Sequence, residues 1–173
     1  KGKQDGFGIL TWANGDIGSG EWKHDALIKG LIVYADGSHK MGEWNDKGEE
    51  NGVVISKKAN GDYIETHSKN GVPYGSSIIL LNDGTRFEGE LNWDAVTKYG
   101  KNPVNVNSLK KNKIILKALY SSKHAIVTRP GGFRYQGALK DGEPDGYGIG
   151  NYGNSRRIEG EFKNGLPHGH IIE

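Results

Sequence analysis

The chain of 173 residues contains 28 glycines, 5 prolines and no cysteine, and 34% of its residues are hydrophobic. This length suits one domain, the glycine content favours a turn-rich β protein, and the lack of cysteine excludes disulfides, thiolate zinc sites and cysteine nucleophiles. No run approaches the ~20 apolar residues of a membrane-spanning helix. The formal net charge is +2, but residues 95–130 carry eight Lys or Arg and no Asp or Glu. The middle of the chain is therefore strongly basic.

A turn signal recurs along the chain at intervals of 22, 24, 23, 48 and 23 residues. The six turn residues are Gly15, Gly37, Gly61, Gly84, Gly132 and Ser155. Asn or Asp precedes the first four, and Asn-Gly and Asp-Gly are strong signals for β-hairpins because both residues tolerate positive φ. We therefore predict type I′ turns joining successive strands.

The residues around each turn fall into columns that repeat with the turns. Five positions after the turn residue stands glycine, except for Thr66. The residues seven positions after it are Trp22, Trp44, Ser68, Leu91, Leu139 and Phe162. The residues six positions before it are Ile9, Leu31, Ile55, Ile78, Ile126 and Ile149. An aliphatic residue in all six copies predicts a strand that is buried on that face. Because a lone hairpin is marginal in water, we expect successive hairpins to lie side by side.

Two interpretations fit the long interval between Gly84 and Gly132. Asn112 lies 23 residues after Gly89, which is one repeat length further along the chain. This spacing favours a degenerate repeat within residues 98–130. Alternatively, Ser108 caps an amphipathic helix over residues 109–120, with Lys110, Lys113 and Lys117 on one face. The sequence leaves both interpretations open.

Gly148, Gly150 and Gly153 match the G-x-G-x-x-G motif of dinucleotide-binding folds. That motif binds phosphate only where a strand ends and a helix begins. The residues that follow, 157–163, alternate apolar and charged side chains, which predicts a strand. We therefore interpret the three glycines as small residues of a repeat, and expect no nucleotide.

Other catalytic or metal-binding patterns are weak. His168 and His170 lie on one face of a predicted strand, but no third ligand follows closely, so exposed histidines are favoured over a metal pair. The carboxylates Glu21, Glu43, Glu90 and Glu161 recur beside the repeat glycines, as on a solvated strand face. We expect a non-catalytic chain without metal or cofactor.

The repeat resembles the MORN (membrane occupation and recognition nexus) family, whose unit of about 23 residues reads Tyr-x-Gly-Glu-Trp…Gly-x-x-x-Gly-x-Gly. The segments that carry the resemblance are residues 18–22 (GSGEW), 87–91 (FEGEL), 135–139 (YQGAL), 158–162 (IEGEF) and 142–148 (GEPDGYG). It implies an all-β fold, an elongated single-sheet array of about six to seven β-hairpin repeats. We expect regular repeats over residues 1–97 and 131–173 and a degenerate basic repeat over 98–130, in one array excerpted from a longer chain.

The resemblance also implies a scaffolding or protein-interaction module, whose partner is another protein or a second copy of the chain. The predicted partner groove consists of Trp22, Trp44, Phe87, Leu91 and Tyr135. Alternative functions are targeting to anionic phospholipid, such as phosphoinositide, and the targeting or regulatory arm of a larger enzyme. The predicted anionic-ligand patch consists of Lys98, Lys101, Lys110, Lys111, Lys113 and Lys117. We expect a cytoplasmic location, peripheral at a membrane or the cytoskeleton, and no nucleic acid as a partner.

Overall fold

The computed structural model describes residues 2–90 and 122–173, which belong to two compact units, Lys1–Tyr74 and Gly75–Glu173. The described residues form antiparallel strands and no helix. The strands are β1 (Gly6–Thr11), β2 (Ile17–Lys23), β3 (Ala26–Val33), β4 (His39–Glu43), β5 (Gly52–Lys57), β6 (Tyr63–Lys69), β7 (Val72–Leu80), β8 (Arg86–Glu90), β9 (Ala125–Arg129), β10 (Phe133–Lys140), β11 (Glu143–Asn151), β12 (Arg157–Lys163) and β13 (Leu166–Ile172). The predicted all-β class of hairpin repeats is confirmed.

Each strand pairs with the next strand of the chain in both units. The order is β1 to β6 in the first unit and β7 to β13 in the second, where β7 begins three residues before the unit boundary. Strand β8 pairs directly with β9, with Gly89 opposite Ala125. Residues 91–121, which lie between these two strands in the chain, are outside the described residues. The degenerate repeat and the helix over 109–120 therefore both stay predictions.

The turns after β1, β3, β5 and β7 differ from the predicted type I′ geometry. Only the glycine has positive φ, for example 89° at Gly15, while Asn14 does not. The Gly15 N–H donates to Trp12 O at 2.9 Å, and Asn14 Oδ1 accepts from the Asp16 N–H at 3.2 Å. This is a type I turn followed by a left-handed glycine, in which the Asn side chain bonds its own backbone two residues on. The type I′ prediction is wrong at these turns.

Type I′ geometry occurs instead at turns between the other strand pairs. Asn70 and Gly71 have φ of 51° and 73°, and Asn164 and Gly165 have 49° and 84°. Both central residues are left-handed there, as the right-handed twist of a two-residue hairpin requires. The turns after β2 and β10 likewise have two left-handed residues, whereas the turn after β4 has positive φ only at Gly48.

Each unit has two unlike sheet faces. The core face carries the residues three and seven positions after each turn residue, and these include Trp22, Ile64, Tyr135 and Phe162, which are 5%, 1%, 0% and 2% exposed. The opposite face, here called the open face, carries the aliphatic column six positions before the turn residue. That column was predicted to be buried, and this is wrong: Ile9 is 76% exposed and the other five members are half-buried.

The aromatic rings of the core face lie over glycines of the neighbouring strand. A Cβ atom added at Gly148 would lie 2.6 Å from Tyr135 Cε2, and one added at Gly150 would lie 3.1 Å from Phe162 Cζ. The two rings also contact each other edge-to-face, with centroids 4.9 Å apart. The rings therefore fill the space that side chains at these glycines would occupy. This packing buries the rings although the sheet is a single layer.

Candidate functional site

Most residues of the predicted partner groove are packing residues of the core face. Trp22, Phe87 and Tyr135 are 5%, 8% and 0% exposed, Trp44 is half-buried, and Leu91 lies outside the described residues. The Trp22 indole N–H donates to Gly8 O at 3.1 Å, and the Tyr135 hydroxyl donates to Ala138 O at 3.0 Å. Three of these side chains thus stabilise the sheet and present little surface to a partner.

The exposed apolar surface lies on the open face. In the second unit, strand register places one residue per strand in a row that crosses the sheet. From β7 to β13 this row reads Ile78, Glu88, Ile126, Gln136, Ile149, Glu159 and Ile172. Isoleucine thus alternates with an acid or amide, so that the isoleucines recur on every second strand, roughly 10 Å apart.

A hollow of about 660 Å³ opens on this face of the second unit. Its apolar lining includes Ile126, Ala138, Tyr147 and Ile149, and Gln136 lies between the two isoleucines in register. Tyr147 is 62% exposed. A concave apolar surface with a few polar groups is the usual form of a binding site. The hollow is therefore the candidate functional site of the second unit.

A second row runs beside the isoleucine row and carries arginine on alternate strands. From β7 to β12 it reads Leu80, Arg86, Thr128, Arg134, Asn151 and Arg157. Each arginine precedes, by two residues on its own strand, the polar member of the isoleucine row, and residues two apart share a strand face. Arginine and acid are therefore placed to pair within one strand.

Two of these arginines form such pairs. Arg86 pairs with Glu88, and Arg157 pairs with Glu159 at 2.7 Å. Hydrogen bonds from Arg157 and from the Tyr147 hydroxyl, which donates at 3.1 Å, lower the pKa of Glu159, and the bond to Glu159 raises the pKa of Tyr147. Arg134 is exposed and has no ion-pair or hydrogen-bond partner among residues 2–90 and 122–173, because Gln136 occupies the position of the acid. One uncompensated guanidinium therefore stands beside the hollow.

The first unit has a smaller hollow on its own open face, of about 430 Å³. Leu31, Met41, Val53 and Ile55 line it, and Met41 is 50% exposed. The Lys29–Glu43 pair, at 2.9 Å, lies at its rim. The pKa of Lys29 is raised, and the hydrogen bond to Glu43 is the largest cause.

The core face of the first unit contains a buried ion pair. Lys40 Nζ lies 2.6 Å from Glu50 Oε1, and the Ser68 hydroxyl donates to Glu50 Oε2 at 3.3 Å. These three residues are 8%, 6% and 1% exposed. Because each charge has a partner, neither is left buried and unpaired, and the pair offers no reactive group to a substrate.

The remaining predicted sites have the following positions. Gly148 and Gly150 lie in β11 and Gly153 lies in the turn to β12, so a strand follows the glycine motif, as predicted. His168 and His170 are exposed on β13. Over the described parts of the chain, no cluster of three or more His, Cys, Asp or Glu is placed to hold a metal ion, and no helix could cross a membrane. The six lysines of the predicted anionic patch lie within residues 91–121, outside the described residues.

A family model for the MORN repeat matches residues 1–17, 135–149 and 159–170. These three segments of the chain are similar to the MORN repeat. The second matched segment spans most of β10 and β11 and includes Gln136, Tyr147 and Ile149 of the larger hollow. The resemblance inferred from the sequence is thus confirmed in three segments, one of which forms part of the candidate site.

No curated protein matches the sequence. Among solved structures, the chain is similar to the TCP domain of SAS-4 (dCPAP) from Drosophila melanogaster, in complex with a proline-rich motif of Ana2 (dSTIL). The two are 13% identical, with a TM-score of 0.37, over 92% of this chain and 86% of that one.

Sequence reasoning missed the arginine row of the second unit. The signal was present: the residue two positions after the turn is Arg86, Arg134 or Arg157 in the last three repeats. The residue four positions after it is Glu, Gln or Glu, and this exchange at Gln136 is what leaves Arg134 without an acid. A comparison of the columns two and four positions after the turn reveals the arginine that lacks an acid.

Proposed function

We propose that this chain is a non-catalytic protein-interaction module, which docks a segment of a partner protein on the open face of its second unit. The observation that carries the proposal is the 660 Å³ hollow between Ile126 and Ile149, with an exposed tyrosine beside it. Contiguous apolar surface exposed on a folded protein is typical of an interaction site. The MORN repeats support the proposal as well, because repeat sheets offer extended surfaces to partners.

A peptide library displayed on phage, selected on the immobilised chain, tests this proposal. We expect an enriched peptide pool that binds the wild type but loses binding to the Ile126→Ser/Ile149→Ser variant, because serine removes the apolar lining. Ile9→Ser is the matched control, since Ile9 occupies the same repeat column in the other unit and is 76% exposed. No enriched pool, or a pool that binds the double variant as well as the wild type, would overturn the proposal.

A second candidate function is attachment to an anionic membrane. It is favoured by the acid-free block of residues 95–130, in which Lys110, Lys111, Lys113 and Lys117 are closely spaced. Each lysine near an acidic leaflet contributes about 1 kcal/mol to binding. Such a protein would be cytoplasmic and peripheral, a setting in keeping with the absence of cysteine.

Sedimentation with vesicles that contain phosphoinositide distinguishes this candidate. Reversing the four lysines to glutamate should abolish sedimentation of the chain, and raising the salt concentration should weaken that of the wild type. Sedimentation that survives the charge reversal would exclude the lysines as the contact.

A further inference from the structure

One column of the open face contains an arginine whose usual partner has been exchanged. In β8 and β12 the pairs Arg86–Glu88 and Arg157–Glu159 neutralise each other within one strand. In β10 the corresponding residues are Arg134 and Gln136, and an amide cannot neutralise a guanidinium. Of the three arginines in this column, only Arg134 therefore has no acid two residues later on its own strand.

The surroundings of Arg134 add donors and no acid. In register, its neighbours across the sheet are Thr128 on β9 and Asn151 on β11, which carry a hydroxyl and an amide. Arg134 is exposed and has no partner among the described residues. Its guanidinium is therefore free to form the bidentate hydrogen bonds that a carboxylate prefers.

The other charges around the hollow leave this positive charge unopposed. Glu88 lines the hollow, but Arg86 already neutralises it, and Arg157 neutralises Glu159. Lys123 lies on the lining as well and adds a cation. Glu90 lies opposite Ser76 and Glu161 lies opposite Tyr147, and both are on the other side of the isoleucine row from Arg134. The edge nearest Arg134 is thus the side that attracts an anion.

The spacing links Arg134 to the apolar hollow. Arg134 precedes Gln136 by two residues of β10, a rise of roughly 7 Å, and Gln136 is the register neighbour of both Ile126 and Ile149. Because neighbouring strands lie about 4.8 Å apart, the Cα atoms of the two isoleucines are about 8–9 Å from that of Arg134, and a ligand that reaches both places carries its carboxylate about that far from an apolar group. Adjacent or next-nearest side chains of one peptide segment satisfy this distance.

We infer that the partner segment carries Asp or Glu within two residues of a large apolar side chain, with its carboxylate bound by Arg134 and its apolar side chain in the hollow. This inference rests on the proposed function and specifies the partner's chemistry. Arg134 is the residue that determines specificity, and Gln136 keeps it available by not pairing with it.

Binding of the selected phage peptides to three variants tests the inference. Arg134→Gln removes the guanidinium, and Gln136→Glu restores the arginine–acid pair of the neighbouring repeats while keeping Arg134 itself. The matched control is Arg156→Gln/Glu173→Gln, which removes an exposed arginine–acid pair whose residues do not line the hollow. All of these side chains are exposed or half-buried, and thermal melts check that each variant folds.

We expect the selected peptides to contain Asp or Glu within two residues of Leu, Ile, Val or Phe. Fluorescence anisotropy should show Kd rising about tenfold or more with Arg134→Gln and with Gln136→Glu, and less than about twofold with the control variant. Replacing the peptide's carboxylate by its amide should weaken binding to the wild type by the same factor.

Two results would overturn the inference: peptides without a common carboxylate, or peptides that bind Arg134→Gln and Gln136→Glu as tightly as the wild type. If such peptides still lose binding to Ile126→Ser/Ile149→Ser, the inference fails while the proposed function stands. If no peptides are enriched at all, both fail.

Discussion

The core face contains a buried polar cluster in the first unit and a cluster of large apolar side chains in the second. Around β4 to β6 in the first unit the core face contains Lys40, Ser56, Thr66 and Ser68, all at most 8% exposed. Around β10 to β12 in the second unit the same face contains Tyr135, Leu139, Ile158 and Phe162, all at most 5% exposed. In the columns three and seven positions after the turn, the first unit thus has buried polar residues, Lys40 and Ser68, as well as the apolar Trp22 and Ile64, whereas the four residues of the second unit are all apolar.

This difference shows that the same backbone repeat accommodates either buried polar residues or buried aromatic residues. Each kind has its own structural requirement. A polar layer needs every buried group paired, and no buried side-chain nitrogen or oxygen among the described residues lacks a partner. An aromatic layer needs space over the neighbouring strand, which Gly148 and Gly150 provide. Substitutions that remove one condition at a time distinguish the two layers.

The largest effect is expected from removing one charge of the buried pair. Glu50→Gln leaves the Lys40 ammonium buried without its carboxylate, which costs about 3–5 kcal/mol in the free energy of unfolding. Urea unfolding followed by tryptophan fluorescence measures this change, since three of the four tryptophans, Trp12, Trp22 and Trp44, belong to the first unit.

The double variant Lys40→Met/Glu50→Leu is the control for that prediction. It should return the urea midpoint to near the wild-type value, because apolar side chains of similar volume replace a buried ion pair at little cost. A midpoint for Glu50→Gln equal to that of the wild type would contradict the role of the pair.

A smaller loss is expected when the space over the aromatic layer is filled. Gly148→Ala places a methyl group 2.6 Å from Tyr135 Cε2, and overpacking of this kind costs about 3 kcal/mol. Gly8→Ala is the matched control, since Gly8 occupies the same place in the sequence pattern but its added Cβ would lie 3.9 Å from Trp22 Cδ1. Thermal unfolding should therefore show a lower Tm for Gly148→Ala only; equal Tm values for the two variants would refute the packing argument.

The aromatic layer should also weaken at high pH. Burial, aided by the charge of Asp145, raises the pKa of the Tyr135 phenol from 10.0 to about 12. Between these values the unfolded chain releases the proton while the folded chain retains it, so stability present below pH 10 is lost as the pH rises toward 12. The loss at pH 11.5 is about 2 kcal/mol. Tyr135→Phe should reduce this slope of the urea midpoints measured between pH 9 and 11.5; an unchanged slope would show that other groups cause it.

The smallest effect is expected at an ion pair on the open face. Lys29 and Glu43 lie 2.9 Å apart, close to the 2.6 Å of Lys40 and Glu50, but their side chains are 66% and 50% exposed. Exposed pairs are screened by water and salt. Lys29→Gln should therefore leave the urea midpoint unchanged within error, and a shift as large as that of Glu50→Gln would mean that burial does not decide the strength of these pairs.

The sequence predicted the strands and their order because hairpin turns and alternating side chains are local signals. It did not predict which face is buried. Both faces carry an apolar column, Ile9 to Ile149 on one and Trp22 to Phe162 on the other, and period two distinguishes faces without ranking them. The outcome depends on the glycines of the neighbouring strand, which let rings lie over the sheet, and that contact is not local.

The turns show the same limit. Asn14-Gly15 and Asn70-Gly71 are identical dipeptides, yet only the second is a type I′ turn. The number of residues between the paired strands selects the turn type, since a three-residue connection accommodates one left-handed residue where a two-residue connection needs two. The unpaired charge of Arg134 was missed for a related reason, because it depends on the residue two positions later, where Gln136 replaces the acid.

The most direct test of the account is which isoleucines respond to a bound peptide. In NMR spectra of the chain labelled at isoleucine δ1 methyls, a peptide selected on phage should shift Ile126 and Ile149 of the open face. It should leave Ile79 and Ile158 of the core face, which are 2% and 0% exposed, unchanged. Shifts confined to Ile79 and Ile158, or to isoleucines of the first unit, would contradict docking on the open face of the second unit.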